Sequence, residues 1–187
     1  VDALKSPTGK GRVMAMKANE FQQICEQAKV RAVKNLAKVG IEAIFTIKVR
    51  SFPEKAADNL AQYRSRTQFT SRPIFWINER LPEMVDEAFV EPEVIPRIVE
   101  DSIYHEYGHV MFEFLAGTKT GSEIIWRLGI FGDPYGEEFA ESFAAFMANR
   151  NDNQHDGPKI GVKLMDWFRE EAIPGYLNEQ KNDRTHQ

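Results

Sequence analysis

PRIVEDSIYHEYGHVMFEFLAG, residues 96–117, is the stretch whose reading decides the fold. A proline at its first turn and a glycine at its end frame one helix: Pro96 gives up an N–H that would be unpaired there anyway, and Gly117 supplies a stop. Midway lies His105-Glu106-Tyr107-Gly108-His109. Helical residues four apart stand one turn above each other on the same face, so both imidazoles can reach one metal ion. Glu106, next to the first imidazole, is placed to take a proton from metal-activated water. HExxH arises by accident in roughly one such chain in a hundred, so the surrounding sequence must decide its meaning.

That sequence is of ordinary globular composition. With 187 residues, 42% hydrophobic and 28% charged, the chain has material for one good core. A net charge of −4 and a pI near 5.7 leave no basic footprint for nucleic acid or an anionic membrane surface. No apolar run approaches the ~18 residues of a membrane span. The single cysteine excludes a disulfide framework and a multi-cysteine metal site, so any metal must be held by nitrogen and oxygen donors. Val1 in place of methionine points to an excised domain or a processed product, which leaves open a cytoplasmic or a secreted, delivered location.

Working outward from the HEYGH helix, residues 1–12 are expected to be a polar arm, 13–180 one domain and 181–187 a polar tail. Phe21, Cys25, Ala28, Ala32, Leu36 and Val39 recur at helical spacing before Gly40. Cys25 falls on that apolar stripe, which marks a buried small side chain and no reactive thiol. Ile41, Ala43, Phe45, Ile47 and Val49 alternate with polar residues, predicting a strand over 41–50 that Pro53 ends. A weak helical patch around Ala56, Leu60 and Tyr63 precedes a second strand at Ile74–Ile77, with Trp76 expected in the core. A short helix is expected over Pro82–Phe89, a loop or short-strand region over 118–135, and a helix from about Gly136 to Arg150. After the polar loop Asn151–Lys159, a last helix near Gly161–Ala172 should stop at Pro174-Gly175.

Two histidines leave a hydrolytic metal one protein ligand short. His155, in a polar loop, and His186, beside the last residue, are poor choices for an ordered site. Carboxylates are better placed. Glu137-Glu138-Phe139-Ala140-Glu141-Ser142-Phe143 opens a later helix, and Glu137 and Glu141 share a face with Ala144. Glu137 is assigned as third ligand, Glu138 as the alternative, and Glu141 as the acceptor that orients a ligand imidazole through its other ring N–H. Small Ala140 and Ala144 would let this helix approach the metal helix closely. The bland alternative is a set of solvated carboxylates favoured at a helix start by the macrodipole.

His105–His109 together with Glu137xxxGlu141 resembles the gluzincin metallopeptidases. Locally the match is closest to the anthrax-lethal-factor-like catalytic domain, carried by HEYGH, Tyr135-Gly136 and the Glu137–Phe143 run. ImmA-like metallopeptidases are a second resemblance. The resemblance covers residues 96–147. It implies an α+β, zincin-like fold, a small mixed sheet packed on a central HExxH helix with further helices. It also implies one zinc ion on His105, His109 and Glu137, with Glu106 as general base acting on a polypeptide. Tyr135 would donate to the oxyanion, although it stands only two residues before Glu137, whereas the family's tyrosine lies further upstream; Tyr104 and Tyr107 would pack or line the cleft. The strand at Ile74–Ile77 would take the place of a substrate-pairing edge strand. The rival from another class is a metal-binding interaction or regulatory module without turnover.

Overall fold

The computed structural model describes residues 16–64, 72–88, 90–127, 136–148 and 164–185. Helix α1 (Ala18–Lys38) is followed by strands β1 (Thr46–Arg50), β2 (Ala61–Arg64) and β3 (Ile74–Asn78), then by α2 (Leu81–Glu87) and the long α3 (Ile95–Ala116). Helices α4 (Lys119–Arg127), α5 (Glu137–Met147), α6 (Leu164–Trp167) and α7 (Ile173–Thr185) complete the described chain. The architecture is mixed α+β. Helix α3 lies at its centre, packed on α1, α4, α5 and α7 and on strands β2 and β3. It therefore buries residues on most of its circumference, from Ile95 and Val99 through Tyr104 and Tyr107 to Met111 and Leu115.

Three strands form the sheet in the order β1-β3-β2, with β3 parallel to β1 and antiparallel to β2. This corrects two expectations. Ile74–Ile77 is the central strand, paired on both sides, and its edges are closed to a peptide. The strand predicted over 41–50 is hydrogen-bonded only from Thr46, because its partner begins at Ile74 opposite Thr46. Ile41, Ala43 and Phe45 keep the alternating burial without a ladder partner.

The segment around Leu60 and Tyr63, read as weakly helical, is a 3-10 turn at Glu54–Ala56 followed by β2. Asn78 explains the difference. Its buried side-chain amide donates to the carbonyls of Ala57 and Asn59, both at 2.9 Å, and so fixes the turn that delivers the chain onto β3. Tertiary pairing overrides a weak local preference here. Trp76 is likewise not in the core: Phe75 and Ile77 face inward, while Trp76 is partly exposed with the Arg50 guanidinium 3.2 Å from its ring centroid.

The inner face of the sheet meets α3 through aromatic rings. Phe45 stacks on Phe75 at 4.6 Å, and Tyr107 meets both edge-on at 6.2 and 6.5 Å. Beyond α3, Phe139 and Phe143 of α5 pack on Phe168, and Phe139 also meets Trp167, so one apolar cluster runs from α1 to α7.

Two helical segments depart from expectation. Residues Lys119–Arg127 form α4, not a loop or strand. Thr118 starts it: its hydroxyl accepts the Gly121 N–H at 2.9 Å, the bond of a helix cap. At the C-terminal end the chain does not stop at Pro174-Gly175; it winds as a π-turn over Phe168–Ala172 and continues as α7 to Thr185, past Gln180. The wide turn lies just ahead of the proline, whose missing N–H would break an ordinary α ladder. Gly175 faces α4, where a Cβ would lie 2.2 Å from Ile124 Cδ1, the far end of a side chain. The N-terminal arm, Asn151–Lys159, His155 and His186 lie outside the described residues.

Cys25 is 1% exposed on the α1 stripe, and burial, with the Glu26 charge second, pushes its thiol up to about 12. A thiol reagent at pH 8 should leave the native protein unlabelled and label it fully in denaturant. Rapid labelling of the native chain would contradict this packing.

Candidate metal centre

The site begins with the fixed roll of α3. Tyr104 and Tyr107 flank the first imidazole in sequence and are both buried. On one side the Tyr104 hydroxyl donates to Glu100 at 2.6 Å and accepts from Asn35 of α1 at 2.8 Å. On another, Tyr107 meets Tyr176 of α7, hydroxyl to hydroxyl, at 3.2 Å. Held on these two faces, α3 presents His105 and His109 together, with their Nε2 atoms 3.1 Å apart and their rings at 83°.

Glu137 arrives on α5, and a glycine lets it come near enough. A Cβ on Gly108 would stand 2.6 Å from the Cα of Ala140, well inside van der Waals contact. The fourth residue of HEYGH is therefore the floor on which α5 rests. The entry to α5 is pinned as well. Gly136 has φ +67°, a left-handed conformation, and a Cβ there would meet the Phe112 ring of α3 at 2.5 Å. Ala140 N–H donates to the Gly136 carbonyl at 2.9 Å, closing the first turn.

This geometry sets the Glu137 carboxylate beside both rings, Oε2 at 3.3 Å from His105 Nε2 and Oε1 at 3.5 Å from His109 Nε2. Nitrogen and oxygen donors on a tetrahedral zinc, each about 2.0–2.1 Å from it, stand about 3.3–3.4 Å from one another. The two imidazole nitrogens are 3.1 Å apart and each has one Glu137 oxygen at a similar distance, Oε2 at 3.3 Å from His105 and Oε1 at 3.5 Å from His109, spacings of the order that donors to one such ion require. His105, His109 and Glu137 form a group that can hold a metal ion. Glu137 is 55% exposed and His105 27%, so the group opens toward solvent, as a site needing a free coordination position must.

Charge and burial prepare the neighbours. Burial, then the nearness of His109, holds His105 below the usual imidazole range, with Glu137 and Glu141 pulling the other way; the neutral ring is the one that ligates. Glu106 is 4% exposed and burial pushes its carboxyl up to about 8; the Glu137 charge pushes the same way, and the backbone N–H of Tyr63, donating to the carboxyl, opposes them.

Of the residues singled out in the sequence, the fold brings together His105, Glu106, His109 and Glu137. Glu138, the alternative ligand, is not in the donor group. Glu141 lies near enough to act on His105 through its charge. Tyr135 lies outside the described residues. Sequence reasoning missed Tyr63 as a neighbour of Glu106, because only the folding of β2 against α3 places it there.

A methyl on Gly108 should force α5 outward. Alanine at a helix interior is worth about 1 kcal/mol over glycine by propensity alone, yet overlap of this kind costs about 1–3 kcal/mol. Gly108→Ala is expected to bind zinc at least about tenfold more weakly, by competition with a chromophoric chelator. Unchanged affinity would mean that α5 does not depend on this contact. A second expectation concerns pH. In the metal-stripped protein Glu106 keeps its proton to about pH 8 when folded, against about 4.5 for an ordinary carboxyl. Between those values the folded state binds the extra proton, so this group's contribution to stability falls as pH rises. Metal-stripped Glu106→Gln should therefore gain Tm over the parent at pH 8 and differ little at pH 4.5. His105 titrates with the opposite sign, but equally in both proteins. Parallel Tm–pH curves would refute the assignment.

Comparison with protein-family models, with characterised proteins and with solved structures finds no match to this chain.

Proposed function

We propose that the chain is a zinc-dependent metalloendopeptidase of the gluzincin type, hydrolysing peptide bonds of a polypeptide substrate. The observation that carries this reading is the donor group of His105, His109 and Glu137, one ligand atom from each within 4.8 Å of the others, beside a buried carboxyl at Glu106. The donor set supports zinc: imidazole and carboxylate suit it, and no thiolate is offered. The local likeness of HEYGH and the Glu137–Phe143 run to the anthrax-lethal-factor-like catalytic domain supports the same chemistry.

A zinc ion held by these donors would supply Lewis acidity, acidifying a water molecule and polarising a carbonyl. Glu106 follows HEYGH's first ligand directly and is enclosed by protein, so it is placed to take one proton from that water. It would take that proton as the C–O bond forms and return it to the leaving amine as the C–N bond breaks. Its burial raises the basicity that this double role requires. Glu141 adds negative charge near His105 and so strengthens it as a donor.

The strand edge beside the site is that of β2. It flanks α3, and no strand pairs with its outer side among the described residues.

Glu106→Gln should lose cleavage of a peptide library by at least about a hundredfold while still binding one zinc ion per chain. A chelator should stop the unaltered protein and added zinc should restore it. Retained cleavage in Glu106→Gln would overturn the general-base role. Tight zinc binding without cleavage by the unaltered protein would replace the enzyme with a metal-binding interaction module.

A further inference from the structure

Strand β2 meets α3 at Tyr63. Asn78 N–H donates to the Leu60 carbonyl at 2.9 Å, which makes residues 60 and 78 a hydrogen-bonded antiparallel pair. Such pairs alternate along a ladder, so Tyr63, opposite Phe75, belongs to a non-bonded pair and turns its own N–H and C=O away from β3. That outward N–H is the one that meets the Glu106 carboxyl. The side chain reaches α3 a second time: the Tyr63 hydroxyl donates to Glu113 Oε2 at 2.7 Å. Glu106 and Glu113 are seven residues apart, two turns along the same face of α3. The Tyr63 ring between the two contacts packs edge-on against Phe75 at 6.1 Å.

We propose that Tyr63 is a positioning residue for Glu106: its phenol, anchored on Glu113, holds β2 against α3 so that its backbone N–H fixes one lobe of the Glu106 carboxyl and leaves the rest free for a proton. The proposal rests on the metallopeptidase reading for its consequence and on the β2–α3 geometry for its mechanism. A carboxyl left free to turn about its terminal bond would sample orientations in which proton transfer fails. An N–H from a strand in register removes that freedom. Glu113 takes no part in the chemistry; it holds the strand that holds the base.

Amide hydrogen exchange at position 63, read by NMR on the zinc-loaded and the metal-stripped protein, tests the tether without relying on activity. Tyr63→Phe should exchange that amide about tenfold faster, and β3 amides and zinc affinity should stay as in the parent. Glu113→Gln, which keeps an acceptor for the phenol, should restore slow exchange, whereas Glu113→Ala should match Tyr63→Phe. The double variant Tyr63→Phe/Glu113→Ala should be no worse than either single change. In peptide cleavage, Tyr63→Phe should lower kcat about tenfold and have no further effect in a Glu106→Ala background. Unaltered exchange in Tyr63→Phe would overturn the tether, and so would a uniform rise across β3, which would report general loosening. No cleavage by the unaltered protein would sink the hydrolytic reading, while the exchange data would still decide the tether.

Discussion

The contact between Gly108 of α3 and Ala140 of α5 is the constraint on which the rest of the structure depends. Two helices whose backbones meet with no side chain between them lie closer than helices bearing ordinary side chains, and here a Cβ would stand only 2.6 Å from its neighbour. Glu137 sits one turn before that contact, and its short reach to His105 and His109 follows from it. A residue larger than glycine at position 108 would push α5, and Glu137 with it, away from the two imidazoles. The aromatic residues on α5 act in the same direction. Phe139 and Phe143 are fully buried against Phe168 and, for Phe139, Trp167, so α5 is pulled into the core on one face while its glutamates remain on the other.

A fold that encloses Glu106 accepts a cost. A carboxyl at 4% exposure is held toward its neutral form, and below about pH 8 the protein meets that cost by protonating it. A cation bound by the three neighbouring donors would favour the carboxylate instead. The favoured charge of Glu106 thus differs between the protein without a metal and the protein with one. Polar networks hold α3 in place: Asn35, Glu100 and Tyr104 on the α1 side, Tyr107, Tyr176 and Gln180 on the α7 side. The site residues ride on rigid helices, and the strand beside them is secured at Tyr63.

What could be read in the sequence was what local chemistry encodes. The helix carrying HEYGH, its Pro96 start and its stop at Gly117, the α1 stripe and the glutamate-bearing helix follow from periodicity and end signals, and the structure has all of them. The small residue at 140 was also legible as a close approach, although its partner Gly108 was not. What escaped depends on contacts distant in sequence. The strand β2 is made by pairing with β3 and by Asn78 reaching back to Ala57 and Asn59. The order of strands, which puts β3 in the centre, cannot be seen from strands read one at a time. Pro174-Gly175 resembles a helix stop, and only the π-turn before it and Ile124 against Gly175 reveal a helix passing through. Helix α4 did carry a local signal in Thr118, a cap too short to stand out among the glycines around it.

The central claim is that His105, His109 and Glu137 bind one metal ion as a unit. X-ray absorption on the zinc-loaded protein measures it most directly. The account predicts a four-coordinate ion with two imidazole nitrogens and light oxygen donors at about 2.0–2.1 Å, losing one imidazole in His105→Ala or His109→Ala. A six-coordinate ion surrounded by oxygen, or a spectrum unchanged when either histidine is removed, would contradict it.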